Sequence, residues 1–183
     1  RLTLGNLYKT YGDWKKAEFA YNMILAERPD YPFAVAALGD VEMHKKNYAK
    51  AEELLKKACS IIPEVAFYEK LASLYQKTGR TSELDALIPQ IQKMMQEDTD
   101  KGHNMSLEQA AFYTDLAPDY AKALQYALQE YEKRPDNIDV NRRLALIYCA
   151  QKDMVKAKEH YEKASVTHSQ HPELLNLKKM LPG

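Results

Sequence analysis

The chain has 183 residues, with 26 Lys and Arg against 26 Asp and Glu, so its formal net charge is zero. This balance argues against nucleic acid or an anionic membrane as the main partner, because both attract strongly basic surfaces. No apolar run approaches the roughly 18 residues of a membrane-spanning helix, so no direct membrane span is predicted.

Hydrophobic spacing and turn residues predict helices that come in pairs, separated by short links. Pro89 lies inside the sixth predicted helix and is expected to kink or split it near Ile88, because its ring clashes with the preceding turn. The polar stretch 96–104 is predicted to contain a prolonged helix end and a loop. In chain order the predicted helices cover 1–11, 14–28, 33–45, 48–60, 65–77, 81–97, 105–117, 120–134, 138–151, 154–167 and 171–180.

Small residues recur with a period close to 34 positions, once in the first and once in the second helix of each pair. A small side chain at both positions lets two helices approach closely, while aromatic side chains such as Trp14 and Tyr21 are expected to fill the space beside them. Proline at the end of the second helix stops it. The small residues are Gly5, Gly39, Ala72, Ala111 and Ala145 in the first helices, and Ala17, Ala51, Ala123 and Ala157 in the second.

This pattern resembles the tetratricopeptide repeat family over almost the whole chain. Three departures are Lys46 and Lys152, where the family has a turn glycine, and Leu84 at a small position. The resemblance implies an all-α fold, a right-handed superhelix (α-solenoid) of about five helix pairs. We expect the C-terminal helix 171–180 to cap it. Its predicted inward-facing residues are Leu174, Leu175, Leu177 and Leu181.

One solenoid, 1–183, accounts for the chain. The spacing between the third and fourth pairs is longer than elsewhere, which makes 96–104 a candidate hinge. It would separate the first three pairs (1–98) from the last two and the cap (105–183). A binding loop is the alternative for this acidic stretch.

The resemblance also implies that the first helices line a concave groove that holds a peptide or partner protein. Arg142 and Arg143 would form its basic end and could hold a carboxylate by two hydrogen bonds. Reversing both charges is then expected to weaken partner binding and to leave stability nearly unchanged. An ordinary solvated helix face is the alternative. The groove residues carried over from the family are Asn6, Lys9, Asp40, Met43, His44, Lys70, Ser73, Gln76, Gln109, Phe112, Arg142 and Arg143.

One known use of the family is a clamp for the C-terminal carboxylate of chaperones. Asn6 fits its pattern, but Leu2, Ala37 and Ala66 stand where the clamp has polar or basic residues, and only Lys70 could replace its arginine. Binding of a chaperone tail is therefore disfavoured.

No residue constellation for catalysis or for a cofactor is recognisable, so we expect no enzyme and no cofactor. His160, His168 and His171 are close in sequence, but a metal site would need a fourth ligand and a common face, and exposed polar residues are the preferred interpretation. Cys59 and Cys149 lie almost three repeats apart, so no disulfide is expected between them.

The favoured function is a protein–protein interaction scaffold that binds an unidentified peptide or protein. A regulatory or assembly domain of a larger enzyme or membrane-associated complex is the alternative, and an RNA-binding helical repeat is less favoured because such proteins read RNA from a basic face. The sequence does not decide whether the protein self-associates.

The chain begins with Arg1 within a predicted helix, so we expect a fragment of a longer protein. The sequence is compatible with both a cytoplasmic and a periplasmic location.

Overall fold

The computed structural model describes residues 1–167 and 171–181, and the regular secondary structure of these residues is α-helical. The chain divides into two compact units, Arg1–Met94 and Met95–Gly183, with the boundary inside helix α6. The helices that begin in unit 1 are α1 (Leu2–Thr10), α2 (Trp14–Glu27), α3 (Pro32–His44), α4 (Tyr48–Ile61), α5 (Val65–Lys77) and α6 (Thr81–Asp100). Those of unit 2 are α7 (Ser106–Asp115), α8 (Tyr120–Lys133), α9 (Ile138–Ala150), α10 (Met154–Ala164) and α11 (Pro172–Met180). The predicted five helix pairs followed by a C-terminal helix are thus confirmed.

Three second helices begin with the same cap. The side chains of Asp13, Asp119 and Asp153 each accept a hydrogen bond from the backbone N–H three residues later, at 3.1–3.2 Å. Each cap satisfies one backbone donor that the first helical turn leaves unpaired. The caps fix the point at which α2, α8 and α10 begin.

The turn within four of the five pairs contains a residue with a left-handed backbone conformation. Gly12 has a φ of +78°, and Lys46 and Lys152 adopt nearly the same conformation, with φ of +62° and +63°. The two lysines therefore depart from the family's glycine in sequence but keep its backbone geometry. A non-glycine residue with such a left-handed φ is strained by roughly 1–2 kcal/mol.

Within unit 1 the small residues lie at helix contacts, as predicted. A Cβ on residue 39 would lie 2.9 Å from the Leu55 side chain and 3.6 Å from the Ala51 carbonyl oxygen. Ala51 itself is fully buried. Trp14, at the start of α2, packs against the cluster that contains Ala17 and Tyr21, as predicted, but it is only partly buried.

The core of unit 2 includes two residues of α11. Leu174 and Leu177 are buried, and Leu181 packs against the same cluster. Leu175, which was expected to face inward, is exposed. At 100° per residue it points about 160° away from Leu177, so the helix cannot bury both.

The stretch around the predicted hinge is more helical than expected. α6 continues through Pro89 as one helix and ends at Asp100, so it is not split near Ile88, and a kink at Pro89 stays a prediction. Ile91 and Met95, which follow the proline on α6, are buried, and this packing offsets the lost backbone hydrogen bond.

Asn104 donates a hydrogen bond to Glu130 of α8 at 2.7 Å, which attaches the loop after α6 to unit 2. Motion at 96–104 stays a prediction.

Candidate functional site

A pocket of about 340 Å³ lies in unit 1, on the face formed by the first helices of its pairs. It lies where α3 and α5 run side by side, close to the start of α2. The lining combines two lysines, one carboxylate and several apolar or aromatic groups. The residues that line the pocket are Trp14, Asp40, Met43, His44, Lys70, Ser73 and Lys77.

The charged part of the site is centred on Asp40. Its Oδ2 atom accepts a hydrogen bond from the Lys70 ammonium at 2.6 Å and another from the Lys9 ammonium at 2.7 Å. Burial alone would raise the pKa of the Asp40 carboxyl, but the two lysine charges outweigh this effect and hold the pKa below its usual value. Two cations thus share one anion, so this part of the site carries an excess of positive charge.

Each of these lysines also keeps hydrogen-bonding capacity. An ammonium group has three donors, and one donor from each lysine reaches Asp40. Both lysine side chains are only about 30 % exposed, so their charges are held near the protein instead of extending into water. The remaining donors can meet a ligand without a large loss of side-chain freedom.

The apolar side of the pocket is an aromatic stack. The rings of Trp14 and His44 lie parallel within 9°, with centroids 4.2 Å apart. Met43 lies beside them on α3, and its flexible thioether can adapt to different ligand shapes. A chain segment in this pocket would therefore meet positive charge on one side and a flat apolar surface on the other.

The structure brings together five of the residues predicted for a groove, and Lys9 adjoins them through Asp40. Trp14 and Lys77 were missed by the sequence analysis. Lys77 could have been found, because it continues the helical spacing of Lys70 and Ser73 by one more turn. No such spacing pointed to Trp14, because the sequence analysis assigned this residue to packing within the first helix pair. The five predicted residues are Asp40, Met43, His44, Lys70 and Ser73.

Two further predicted residues of unit 1 lie outside the pocket lining. Asn6 is exposed on α1, and its Oδ1 atom accepts a hydrogen bond from the Tyr21 hydroxyl at 2.8 Å. Burial and the nearby Asp40 charge raise the pKa of Tyr21 to about 12, so this hydroxyl remains a donor. Gln76 is exposed on α5.

In unit 2 the predicted residues of α7 are not available on a surface. Phe112 is 1 % exposed, and Gln109 is also buried. Gln109 donates a hydrogen bond to the Thr99 hydroxyl at 3.3 Å, so the end of α6 covers this side of α7. The longer spacing between the third and fourth pairs extends α6 to Asp100, in line with the predicted prolonged helix end. The sequence did not predict that this extension would cover Gln109.

The predicted basic end of the groove is neutralised by acidic residues of the same unit. Arg142 donates to Glu173 of α11 at 2.9 Å and to Asp139 at 2.7 Å. Arg143 donates to Asp115 at 2.9 Å and lies 3.8 Å from Glu173. The two arginine side chains are only 17 % and 12 % exposed. Glu173 of the chain itself thus provides a carboxylate to both arginines.

Two histidines of unit 2 make hydrogen-bond contacts within the protein. His160 was expected to be an exposed polar residue but is buried, with its Nδ1 atom 2.9 Å from Asn141 Oδ1, and His171 caps the start of α11. His168 lies outside the described residues. Across 1–167 and 171–181, no group of three or more His, Cys, Asp or Glu is arranged to hold a metal ion. A helix long and apolar enough to cross a membrane is also absent from these residues.

Solved structures with the same arrangement of helix pairs are numerous. A thermophilic tetratricopeptide repeat protein of Thermus thermophilus, TTC0263, is 21 % identical and covers 97 % of this chain and 93 % of its own, with a TM-score of 0.68. A tetratricopeptide repeat protein of Parabacteroides merdae is 20 % identical, with 96 % and 67 % covered and a TM-score of 0.67. The chain has the tetratricopeptide-repeat fold.

Human IFIT1, as a dimer with m7Gppp-AAAA, has the same fold in the matching part, with 19 % identity and a TM-score of 0.63. The match covers 91 % of this chain and 41 % of the human protein. No protein-family model matches the sequence, and no curated protein matches it significantly. At these identities the likeness establishes the tetratricopeptide-repeat fold alone. It says nothing about the residues that line the pocket.

Within this tetratricopeptide-repeat fold, the first helices α1, α3 and α5 of unit 1 carry Lys9, Asp40 and Lys70 to one place. Each residue comes from a different pair, and the two hydrogen bonds to Asp40 connect them. The site therefore depends on the stacking of three repeats. No single helix pair could form it.

Proposed function

We propose that this protein is an interaction scaffold, and that the pocket of unit 1 holds an extended peptide or a segment of a partner protein. The observation that carries the proposal is the sharing of Asp40 by Lys9 and Lys70 beside the Trp14–His44 stack. Fixed charges next to a flat apolar surface are typical of sites that anchor a few side chains of a longer ligand.

The charge of the site favours an acidic residue in the ligand. Lys9, Lys70 and Lys77 carry three positive charges around the single carboxylate of Asp40. Complementary charge raises specificity and the rate of association more than it raises affinity. We therefore expect the bound segment to carry an acidic residue near an apolar or aromatic residue, which would contact Trp14.

The test is selection from a random peptide library displayed on phage, with the whole chain as bait. Peptides enriched in an Asp or Glu next to an apolar residue support the proposal. Their binding should fall at least tenfold for Lys77→Glu, which reverses an exposed charge at the pocket. Lys158→Glu on α10 is the matched control and should leave binding unchanged. Failure to select any peptide, or equal loss in both variants, would overturn the proposal.

RNA is the competing ligand, because lysines and an aromatic stack can also hold a nucleotide. Filter binding to mixed-sequence RNA at low salt separates the two. Retention of RNA that Lys77→Glu abolishes, together with no selected peptide, would assign the pocket to RNA instead of protein. We expect little retention, since the chain has no net charge.

A further inference from the structure

The pocket of unit 1 holds more positive charge than its own carboxylate neutralises. Asp40 bonds the ammonium groups of Lys9 and Lys70 through one oxygen atom, and Lys77 adds a third cation to the lining. Across residues 1–167 and 171–181, Lys77 has no carboxylate within ion-pair distance. Three positive charges and one negative charge leave an excess of two.

Two well-shielded cations of unit 2 have the opposite charge balance. Arg142 is paired with Asp139 and Glu173, and Arg143 is paired with Asp115 and the same Glu173. There the chain supplies three carboxylates for two cations. In the pocket of unit 1 it supplies one carboxylate for three cations, so the remaining charge is available to an anion of a ligand.

Several hydrogen-bond donors lie together in the pocket. Lys70, Ser73 and Lys77 all line it, and at 100° per residue they fall within an arc of about 60° on α5. Lys9 and Lys70 are held at the same oxygen of Asp40, and each keeps two further N–H donors. A ligand group with three acceptor oxygens can therefore bond to more of these donors than a carboxylate, which has two oxygens.

We infer that the acidic group of the bound segment is the phosphate of a phosphorylated serine or threonine. At neutral pH such a phosphate carries a charge of about −1.5 to −2 and has three acceptor oxygens. It therefore matches both the excess charge and the donors of the pocket, whereas an Asp or Glu side chain would neutralise one cation and leave another. The inference rests on the proposed function, because it names the anion of the segment that binds there. Phosphorylation of the partner would then switch its binding on.

The test compares three fluorescent peptide libraries that differ at one central residue, which is phosphoserine, glutamate or serine, with randomised positions on either side. The whole chain is titrated into each library, and fluorescence anisotropy gives an apparent Kd. We expect the phosphoserine library to bind at least tenfold more tightly than the glutamate library, because the phosphate forms more charge-assisted hydrogen bonds. The serine library should bind most weakly.

Lys77→Gln tests whether the preference for phosphate belongs to the pocket. The substitution removes one charge from an exposed side chain of the lining, so the circular dichroism spectrum should stay that of the wild type. The preference for phosphoserine over glutamate, taken as the ratio of the two Kd values, should fall at least threefold. Lys158→Gln, which removes an exposed charge on α10, is the matched control and should leave this ratio unchanged.

Equal affinity for the phosphoserine and glutamate libraries would overturn this inference and leave the proposed scaffold function in place. A phosphoserine preference that Lys77→Gln does not reduce would overturn the assignment to the pocket. Inorganic phosphate at the concentration of the peptides should not displace the phosphoserine library, since it lacks the flanking residues that contact Trp14, and displacement would identify free phosphate as the ligand instead. Failure of all three libraries to bind would also overturn the inference, while the phage selection alone decides the scaffold proposal.

Discussion

Gly39 of α3 and Leu55 of α4 approach so closely that a Cβ on residue 39 would lie 2.9 Å from the Leu55 Cδ2 atom. Real Cβ atoms are not found at this distance, and the Leu55 side chain is fully buried, so it has little room to move. The absence of a side chain at residue 39 thus sets the distance between the two helices.

Gly39→Ala should lower the free energy of unfolding by about 1–3 kcal/mol, because overpacking forces a shift of helix or side chain. Urea denaturation measures the loss. In the background of Leu55→Ala the same substitution should cost less, since the clash is gone. Equal losses in both backgrounds would show that the two residues do not interact.

Lys152→Gly should stabilise the protein by roughly 0.5–1 kcal/mol. The left-handed φ of +63° at this position strains a lysine, and the relief exceeds the additional chain entropy that glycine loses on folding. Lys158→Gly is the matched control on the exposed side of α10, where glycine should cost about 1 kcal/mol. If both substitutions lowered the midpoint of thermal unfolding, the turn would not be strained.

The sequence predicts the pairs and their order because packing repeats with a fixed period, and small residues such as Gly39 mark each contact. It does not predict that α6 runs through Pro89, since that depends on burial of Ile91 and Met95 by tertiary contacts. In the site, Lys70 was carried over from the groove positions of the repeat family, and it lines the pocket of unit 1. The neutralisation of Arg142 by Glu173, 31 residues away, depends on where α11 packs, which local patterns do not encode.

Acidification should destabilise unit 2 through His160. Its pKa is lowered chiefly by burial and further by the Lys163 charge, while Glu159 opposes the shift. The Tyr131 and Tyr148 rings and Asn141 surround it on the other elements. Below a pH of about 6.5 the unfolded chain binds a proton that the folded chain does not, so stability falls as the pH falls towards the lowered folded pKa.

Urea denaturation at a series of pH values from 7.5 to about 5 measures this loss. His160→Gln should be less stable at pH 7.5 and should show a smaller decline on acidification. His171, whose pKa is also lowered chiefly by burial, remains in the variant and accounts for part of the residual slope. Parallel curves for the two proteins would contradict the role of His160.

Neither cysteine should react quickly in the folded protein. Burial raises the pKa of the Cys59 thiol to about 11, and Cys149 is buried. Because the thiolate is the reactive form, a disulfide reagent such as DTNB at pH 8 should release little product from the native chain. In guanidinium chloride both thiols should react at once. Rapid reaction of the native protein would indicate that the region around Cys59 opens readily.

Because Arg142 pairs with Glu173, changes at Arg142 should alter the free energy of unfolding. In an open groove they would leave it unchanged. Arg142→Glu should place two carboxylates together at the contact between α9 and α11, and should lower the free energy of unfolding by about 1–2 kcal/mol instead of leaving it unchanged. A double-mutant cycle with Arg142→Ala and Glu173→Ala should give a coupling of roughly 0.5–1 kcal/mol, since both side chains are partly shielded from water. Lys156→Ala with Asp153→Ala, a more exposed pair at the start of α10, is the control and should give less. A coupling near zero for the first pair would mean that Glu173 does not hold Arg142 in solution, and Arg142 would then be available to a partner carboxylate.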